Sequence, residues 1–324
     1  YPRERLGKAW RWVLFNQSHD ILFGAGIPEV VDDAHARYDS AMAAIDSVVQ
    51  EGFAEIRSQM DTRGETGAAY VLFNPLGHAR VGPALIEIGN PAPEGETESF
   101  ARSHSLALVT VPEVPALGAI AIPIGMDGLP GAPTSGLAPP AAGDTWMENA
   151  FLRVEIDPRS GAISRILDKA NGRQALRPGG RANVLWVHEL RRAAQDSAVG
   201  IRQGARQEVG RLLSLSSAVT ARAATMTILR QWGSSTIRQE YVLGRSAPFL
   251  DIRSEVEWRE EHRQLTVAFE PVVMPDSATW EIPYGTIGRS GLSQSAMGGS
   301  DAGLPGQRWA DVSDDGYGFS VLTD

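Results

Sequence analysis

Cysteine is absent from this sequence. Its absence excludes a disulfide framework, thiolate metal sites and cysteine nucleophiles. Lysine is almost absent too: Lys8 and Lys169 are the only two, and arginine supplies the rest of the positive charge. Arginine offers a planar, bidentate fork to carboxylates, which lysine cannot match. Positive charge as a whole is in deficit, with a net charge of −9. A nucleic-acid polyanion is therefore excluded as the expected partner. No apolar run approaches the roughly 18 residues that a spanning helix needs, so no membrane partner is expected. The patterns GxGxxG, GxSxG and HExxH and the Walker phosphate loop do not occur. The common dinucleotide, serine-hydrolase and zincin readings lose their motif support.

What is present describes an ordinary soluble chain with a sizeable core. Its 324 residues are 43% hydrophobic and 21% charged, enough at roughly 150 residues per domain for about two domains. The 34 glycines and 20 prolines indicate many turns and a β-rich body. Tyr1 is not a methionine, and Phe319 to Asp324 reads as an interrupted strand. The expectation is a piece of a longer polypeptide, cut at both ends. The missing cysteines and missing export signal point to the cytoplasm. Assembly into a homo-oligomer is left open.

Periodicity divides the chain. Leu6, Trp10, Val13, Leu14 and Gln17 recur at three- and four-residue spacing, which predicts a helix over 3–18 with Pro2 in a tolerated first-turn position. It should stop near Ser18-His19-Asp20, because Gly24 and Gly26 follow. Pro28 opens a second helix over 28–60. Its apolar stripe is Val31, Ala34, Tyr38, Met42, Ile45, Val49, Phe53 and Ile56. The pair should run antiparallel as part of a bundle that lacks a third helix. After Asp61 to Gly67 the period falls toward two. Strands are predicted at 70–73, 81–88, 105–111 and 119–124, and Gly125 to Gly143 reads as a linker.

From Thr145 onward the expectation is all β. One strand covers 148–157, a turn covers Pro158 to Gly161, and Ala162 to Asp168 returns as the hairpin partner. Further strands are predicted at 183–188, 208–219, 224–232, 236–243, 248–259, 263–272, 279–282 and 318–322. The polar stretch 190–207, with Arg191, Arg192, Arg202 and Arg206, reads as a surface loop. The fold expected is mostly β with an N-terminal helical segment. A partial antiparallel helix bundle (1–63) leads to a small β domain with its linker (64–143) and a large β-sandwich (144–324).

One cluster asks for chemistry. Asn16-Gln17-Ser18-His19-Asp20 places five polar side chains between apolar segments, Val13 to Phe15 and Ile21 to Phe23. Such a cluster must satisfy its hydrogen bonds somewhere. In one reading Asn16, Gln17 and Asp20 cap the helix and His19 bonds internally. In the other, His19 is a metal ligand and Asp20 binds a substrate hydroxyl. One histidine does not make a metal site, so other ligands would have to come from elsewhere.

The stretch Trp10 to Gly24, with Ile27-Pro28-Glu29-Val30, resembles the middle-domain signature of glycoside hydrolase family 38, the α-mannosidases. Val71 to Pro75, Glu148 to Lys169, Glu281 to Gly285, Arg289 and Arg308 to Asp311 resemble later parts of the same family, in the same order. The resemblance implies a (β/α) barrel ahead of a three-helix bundle and β-sandwich domains. It implies a retaining, metal-dependent exo-α-mannosidase acting on glycans with terminal α-mannose. His19 would be one ligand of an active-site zinc, although one imidazole accepts other divalent ions. Asp20 would bind sugar hydroxyls. The nucleophile, the acid and the remaining ligands belong to the barrel, so the piece alone should be inactive. Two departures stand out: Phe23-Gly24 replaces the usual proline-glycine pair, and His188 to Asp196 replaces an acidic, tryptophan-containing segment.

Tyr284 and Arg289 are further candidates for sugar contact, each equally readable as structural. Trp146, Trp186, Trp232, Trp258, Trp280 and Trp309 read as sugar-stacking platforms or as core. Asp311, Asp314 and Asp315 read as a turn, lacking the calcium-loop spacing. The competing function is a non-catalytic carbohydrate-binding or structural β-sandwich module, and a weaker one an oligomerisation scaffold. An exposed apolar surface is expected near Trp12, Phe15 and Phe23 if another part of the protein docks there.

Overall fold

The computed structural model describes residues 1–22, 26–60, 69–87, 106–124, 136–192, 201–273, 277–290 and 306–323. Three helices come first: α1 (Arg3–Asn16), α2 (His19–Leu22) and α3 (Pro28–Gln59). Strands follow as β1 (Ala69–Phe73), β2 (Arg80–Glu87), β3 (Leu106–Val114), β4 (Ala119–Pro123), β5 (Ala141–Ala142), β6 (Trp146–Glu148), β7 (Leu152–Ile156), β8 (Ile163–Asp168), β9 (Arg173–Gln174) and β10 (Val184–Arg192). The remainder are β11 (Ile201–Glu208), β12 (Arg211–Val219), β13 (Ala223–Trp232), β14 (Ser235–Gly244), β15 (Asp251–Glu257), β16 (Arg263–Ala268), β17 (Ser277–Ile282), β18 (Gly285–Ser290), β19 (Trp309–Ser313) and β20 (Gly318–Leu322). The chain divides into two compact units, Tyr1–Arg80 with Val114–Gly131, and Val81–Glu113 with Ala132–Asp324. The fold is mostly β with an N-terminal helical segment, as the periodicity predicts.

In the first unit α1 and α3 run antiparallel. Arg5 pairs with Glu51 at one end, and the Asn16 amide reaches the Ala34 carbonyl at the other. Small residues make the contact: Ala9, Ala34 and Ala41 are buried, which lets two backbones approach closely. Pro28 occupies the first turn of α3, where its missing N–H costs nothing. Much of the long stripe on α3 is uncovered, since Met42, Val49, Phe53 and Ile56 remain exposed. Phe53 does stack on Phe73 of β1, with ring centroids 4.6 Å apart. β1 pairs antiparallel with β4 from Ala69↔Pro123 to Phe73↔Ala119. Asn74 ends β1 by donating through Nδ2 to the carbonyls of His78, Val114 and Pro115.

In the second unit two sheets face each other, β5-β6-β7-β8-β9 and β12-β13-β14-β15. Met147, Val154, Ile156 and Ile163 from the first meet Ala224, Met226, Ile228, Tyr241 and Leu243 from the second in one core. Full burial of an aliphatic side chain of this size contributes about 1.5–3 kcal/mol, so this interface anchors the sandwich. The burial along β13 alternates as a half-buried strand requires. Beside it lie the sheets β11-β10-β16 and β18-β17-β19-β20.

A polar cluster is enclosed in this core. The Arg230 guanidinium, 1% exposed, donates to the Ser160 carbonyl at 2.7 Å, to Gln239 Oε1 and to the Tyr241 hydroxyl. Those three partners are neutral. Gly161, at φ +72°, passes so close that a Cβ there would lie 2.7 Å from Arg230 Nη2. Glycine is needed at that position both for its backbone conformation and for its lack of a side chain.

Three sequence expectations are corrected. The strand over 148–157 is broken: Asn149 donates through Nδ2 to the carbonyls of Gly244 and Ala247 and accepts through Oδ1 from the Phe151 and Leu152 amides. The stretch 190–207 is not simply a loop, because β10 extends to Arg192 and β11 begins at Ile201. The polar pentad after α1 is not only a stop, because His19 and Asp20 open a second helical turn. The strands β18 and β19 are additional to those expected. Most of the expected linker, residues 125–135, lies outside the described residues, as does Phe23.

Candidate functional site

The last turn of α1 tightens, with the Gln17 amide on the Leu14 carbonyl and the Ser18 amide on the Phe15 carbonyl. Contacts of this i→i+3 kind commonly end an α-helix. The Ser18 carbonyl then accepts from the amides of Ile21 at 3.0 Å and Leu22 at 2.8 Å. These bonds wind residues 19–22 into the single turn α2. His19 and Asp20 lie at its start, and their side chains are 83% and 80% exposed. His19 Nε2 is 3.4 Å from Asp20 Oδ1. The ring is therefore neither packed inward nor walled off from solvent.

The arrangement presents one imidazole and one carboxylate side by side to solvent. An imidazole nitrogen in that position is able to take one coordination position on a divalent ion. Among the described residues no group of three or more His, Asp or Glu is placed to hold a metal. The donor set thus fits a contribution of one ligand to a shell completed elsewhere, and does not fit a self-sufficient metal centre.

Beside Asp20 lies a cavity of about 160 Å³ between the three helices, which His19 does not line. Asn16, Asp20, His35 and Tyr38 supply its polar lining, against Ile21, Leu22, Val30 and Val31. Asn16 is 0% exposed. Its Nδ2 donates to the Ala34 carbonyl at 2.9 Å, whereas its buried Oδ1 meets no hydrogen-bond donor among the described residues. The capping role that the sequence allows for Asn16 is replaced by a tie between helices. Around this end Trp10, Leu14, Phe15, Leu22 and Ile27 are exposed, and Trp12 is half-buried. An exposed apolar surface is therefore present near Phe15 and Trp12, as expected.

Tyr284 and Arg289 lie together on the β17–β18 hairpin of the second unit. Ile282 pairs with Gly285, so Pro283-Tyr284 forms the two-residue tip. Tyr284 is fully exposed at φ +64°. Arg289 pairs with Ala278, and its guanidinium lies 5.6 Å from the Trp280 ring. Other tryptophan faces are also occupied by arginine: Arg153 covers Trp146 at 4.4 Å and Arg206 covers Trp186 at 4.5 Å. Such cation–π contacts leave these rings one face fewer for a sugar. Trp232 and Trp258 pack on a core of Leu185, Val187, Val209 and Ile237. The acidic run resolves as a turn, since Asp314 Oδ1 accepts the amides of Gly316 and Tyr317.

His188 and Glu51 are among the ionisable groups that depart from ordinary behaviour. Burial, helped by the nearby Arg206, pushes the His188 imidazole below its usual range, and its Nε2 contacts Thr266 Oγ1 at 2.8 Å. Hydrogen bonds from Arg5 and then from Ser47 bring the exposed Glu51 down to about 2. Asn16 is the residue whose role the sequence pattern missed. Its signal was a buried-type spacing with Ala9, which a polar letter conceals.

Comparison with known proteins agrees with this architecture. Residues 147–324 match the model of the glycosyl hydrolases family 38 C-terminal domain, and residues 1–56 that of the alpha mannosidase middle domain. Alpha-mannosidase 2C1 of Homo sapiens is 27% identical over 335 residues, covering 100% of this chain and 30% of that protein. The Mus musculus alpha-mannosidase 2C1 is 27% identical, covering 99% of this chain and 30% of that protein. The crystal structure of an alpha-mannosidase from Enterococcus faecalis shares the fold, with a TM-score of 0.71 at 14% identity, over 99% of this chain and 45% of that one. The chain thus spans about 30% of the length of the curated relatives it matches.

Proposed function

The chain belongs to glycosyl hydrolase family 38, and from that premise we propose that it forms part of a metal-dependent, retaining exo-α-mannosidase that hydrolyses terminal α-mannosides of glycans. The observation that carries the reading is His19: an imidazole exposed at a bundle end beside Asp20, in a segment that matches the alpha mannosidase middle domain. In this reading His19 supplies one ligand of a zinc ion, and other divalent ions would accept the same nitrogen. Asp20 accepts hydrogen bonds from sugar hydroxyls. Tyr284 and Arg289 are secondary candidates for sugar contact. The nucleophile, the acid and the other ligands come from outside these 324 residues, in keeping with the 30% span of the relatives.

When bound, zinc would hold substrate hydroxyls and favour ring distortion, acting as a template. His19 then needs only to stay neutral, unobstructed and correctly aimed. Asp20, held next to it, orients the hydroxyls without taking part in bond cleavage. Separated from the rest of the protein, the chain is expected to show no mannosidase turnover, because a retaining mechanism needs a carboxylate pair roughly 5–5.5 Å apart.

The test is His19→Ala in the full-length protein, followed by zinc content, turnover of an aryl α-mannoside and the melting midpoint of the metal-free form. The expected result is loss of zinc and turnover together, with an unchanged metal-free midpoint. Normal zinc and normal turnover in that variant would overturn the assignment and favour a non-catalytic glycan-binding or structural module.

A further inference from the structure

Asn16 is a polar side chain buried between two helices. It reaches the Ala34 carbonyl of α3 beside the cavity that Asp20, His35 and Tyr38 also line, and none of its surface reaches solvent. Its Oδ1 is buried as well, and among the described residues no protein group donates to it. A buried acceptor left unpaired is unfavourable, and helix pairs of this kind pack well on aliphatic side chains. A local departure of this sort marks positions kept for something other than stability.

The amide nitrogen shows what that is. Nδ2 donates to the Ala34 carbonyl, 18 residues away on the opposite helix. Side-chain hydrogen bonds join α1 to α3 at two places: the exposed Arg5 with Ser47 and Glu51 at one end, and the buried Asn16 at the other. The Asn16 end is the one that leads directly into α2. His19 follows Asn16 by three residues and Asp20 by four, through a turn held by the Ser18 carbonyl. The cavity of about 160 Å³ beside Asn16 and Asp20 leaves this end without close packing to fix it. A directional bond replaces the missing contacts.

We infer that Asn16 is a positioning residue: by fastening the end of α1 to the Ala34 carbonyl, it sets the place from which His19 and Asp20 are presented. This rests on the reading of His19 as a metal ligand. The residue touches neither metal nor sugar in that scheme and acts through the helical turn it anchors.

The experiment uses the full-length protein with Asn16→Leu, Asn16→Asp and His19→Ala. Zinc affinity is read by competition with a chromophoric chelator, alongside kcat, KM and the metal-free melting midpoint. Asn16→Leu keeps the branching and the number of side-chain heavy atoms and removes the tie, and the neighbouring cavity offers room for its larger methyl groups. It is expected to hold or raise the metal-free midpoint while weakening zinc at least tenfold and raising KM. Should Asn16→Leu fail to fold, Asn16→Asp, which keeps the shape and when ionised loses the donor, is read by zinc affinity and KM alone, because a buried carboxylate lowers the midpoint by itself. Wild-type zinc affinity and KM in the folded variant would overturn the inference. His19→Ala separates the two layers: zinc lost there but retained with Asn16→Leu removes the positioning role alone, whereas zinc retained in His19→Ala removes the underlying reading and this inference with it.

Discussion

The Tyr241 hydroxyl donates to the Gly161 carbonyl at 2.9 Å, joining β14 to the turn between β7 and β8 inside the sandwich. The same oxygen receives Asn183 Nδ2 and Arg230 Nη2, so one phenol organises a wholly buried polar group. Tyr241→Phe removes a single atom and leaves the Gly161 carbonyl without this donor. A buried group deprived of its partner costs about 1–3 kcal/mol. The expected outcome is a lower denaturant midpoint at unchanged far-ultraviolet circular dichroism, measured in urea.

The α1–α3 pair carries a pH dependence whose direction follows from Glu51. Hydrogen bonds from Arg5, then from Ser47, hold its carboxyl at about 2 against an ordinary 4.5. A depressed carboxylate favours the folded state above the ordinary value, and that contribution is lost as pH falls from 4.5 toward 2. Both partners are solvent-exposed, so salt should screen the effect. The expected outcome is that Glu51→Gln lowers the helical melting midpoint at pH 6, and that this difference from wild type shrinks toward pH 2. Helical melting followed at 222 nm in low and high salt checks both the sign and the screening.

The two long helices are legible because periodicity and proline placement act locally, whereas the single turn α2 is not. Pro28 and the apolar stripe gave α3 to within a residue of its observed span, Pro28–Gln59. The break at Asn149 was not legible, because its cause lies about a hundred residues away in the carbonyls of Gly244 and Ala247. The Arg206 strand was hidden for a similar reason: an arginine laid over Trp186 reads as solvent-facing until the tryptophan beneath it is known. At the site, the pentad announced His19 and Asp20 as polar residues needing partners. It did not distinguish Asn16, whose partner is a backbone carbonyl on another helix and so leaves no mark in the pattern.

Tyr284 holds a left-handed backbone conformation that its own structure gives no reason to keep. Pro283 fixes a negative φ at the first central position of the hairpin tip, and Tyr284 supplies φ +64° at the second, as in a type II turn. Glycine is the usual residue there. For a residue with a Cβ this conformation costs roughly 1–2 kcal/mol, whereas glycine loses about 0.5–1 kcal/mol through the freedom of its unfolded chain. Tyr284→Gly should therefore stabilise the hairpin by about 0.5–1 kcal/mol, seen as a raised melting midpoint. The side chain is fully exposed, so no packing within the described residues offsets that gain. An aromatic kept against backbone preference suits contact with something outside the fold, and a sugar ring fits the proposed activity. In the full-length protein the same substitution should then raise KM for an α-mannoside several-fold while kcat changes little. A more stable variant with wild-type KM would confine Tyr284 to the turn and remove it from the sugar site.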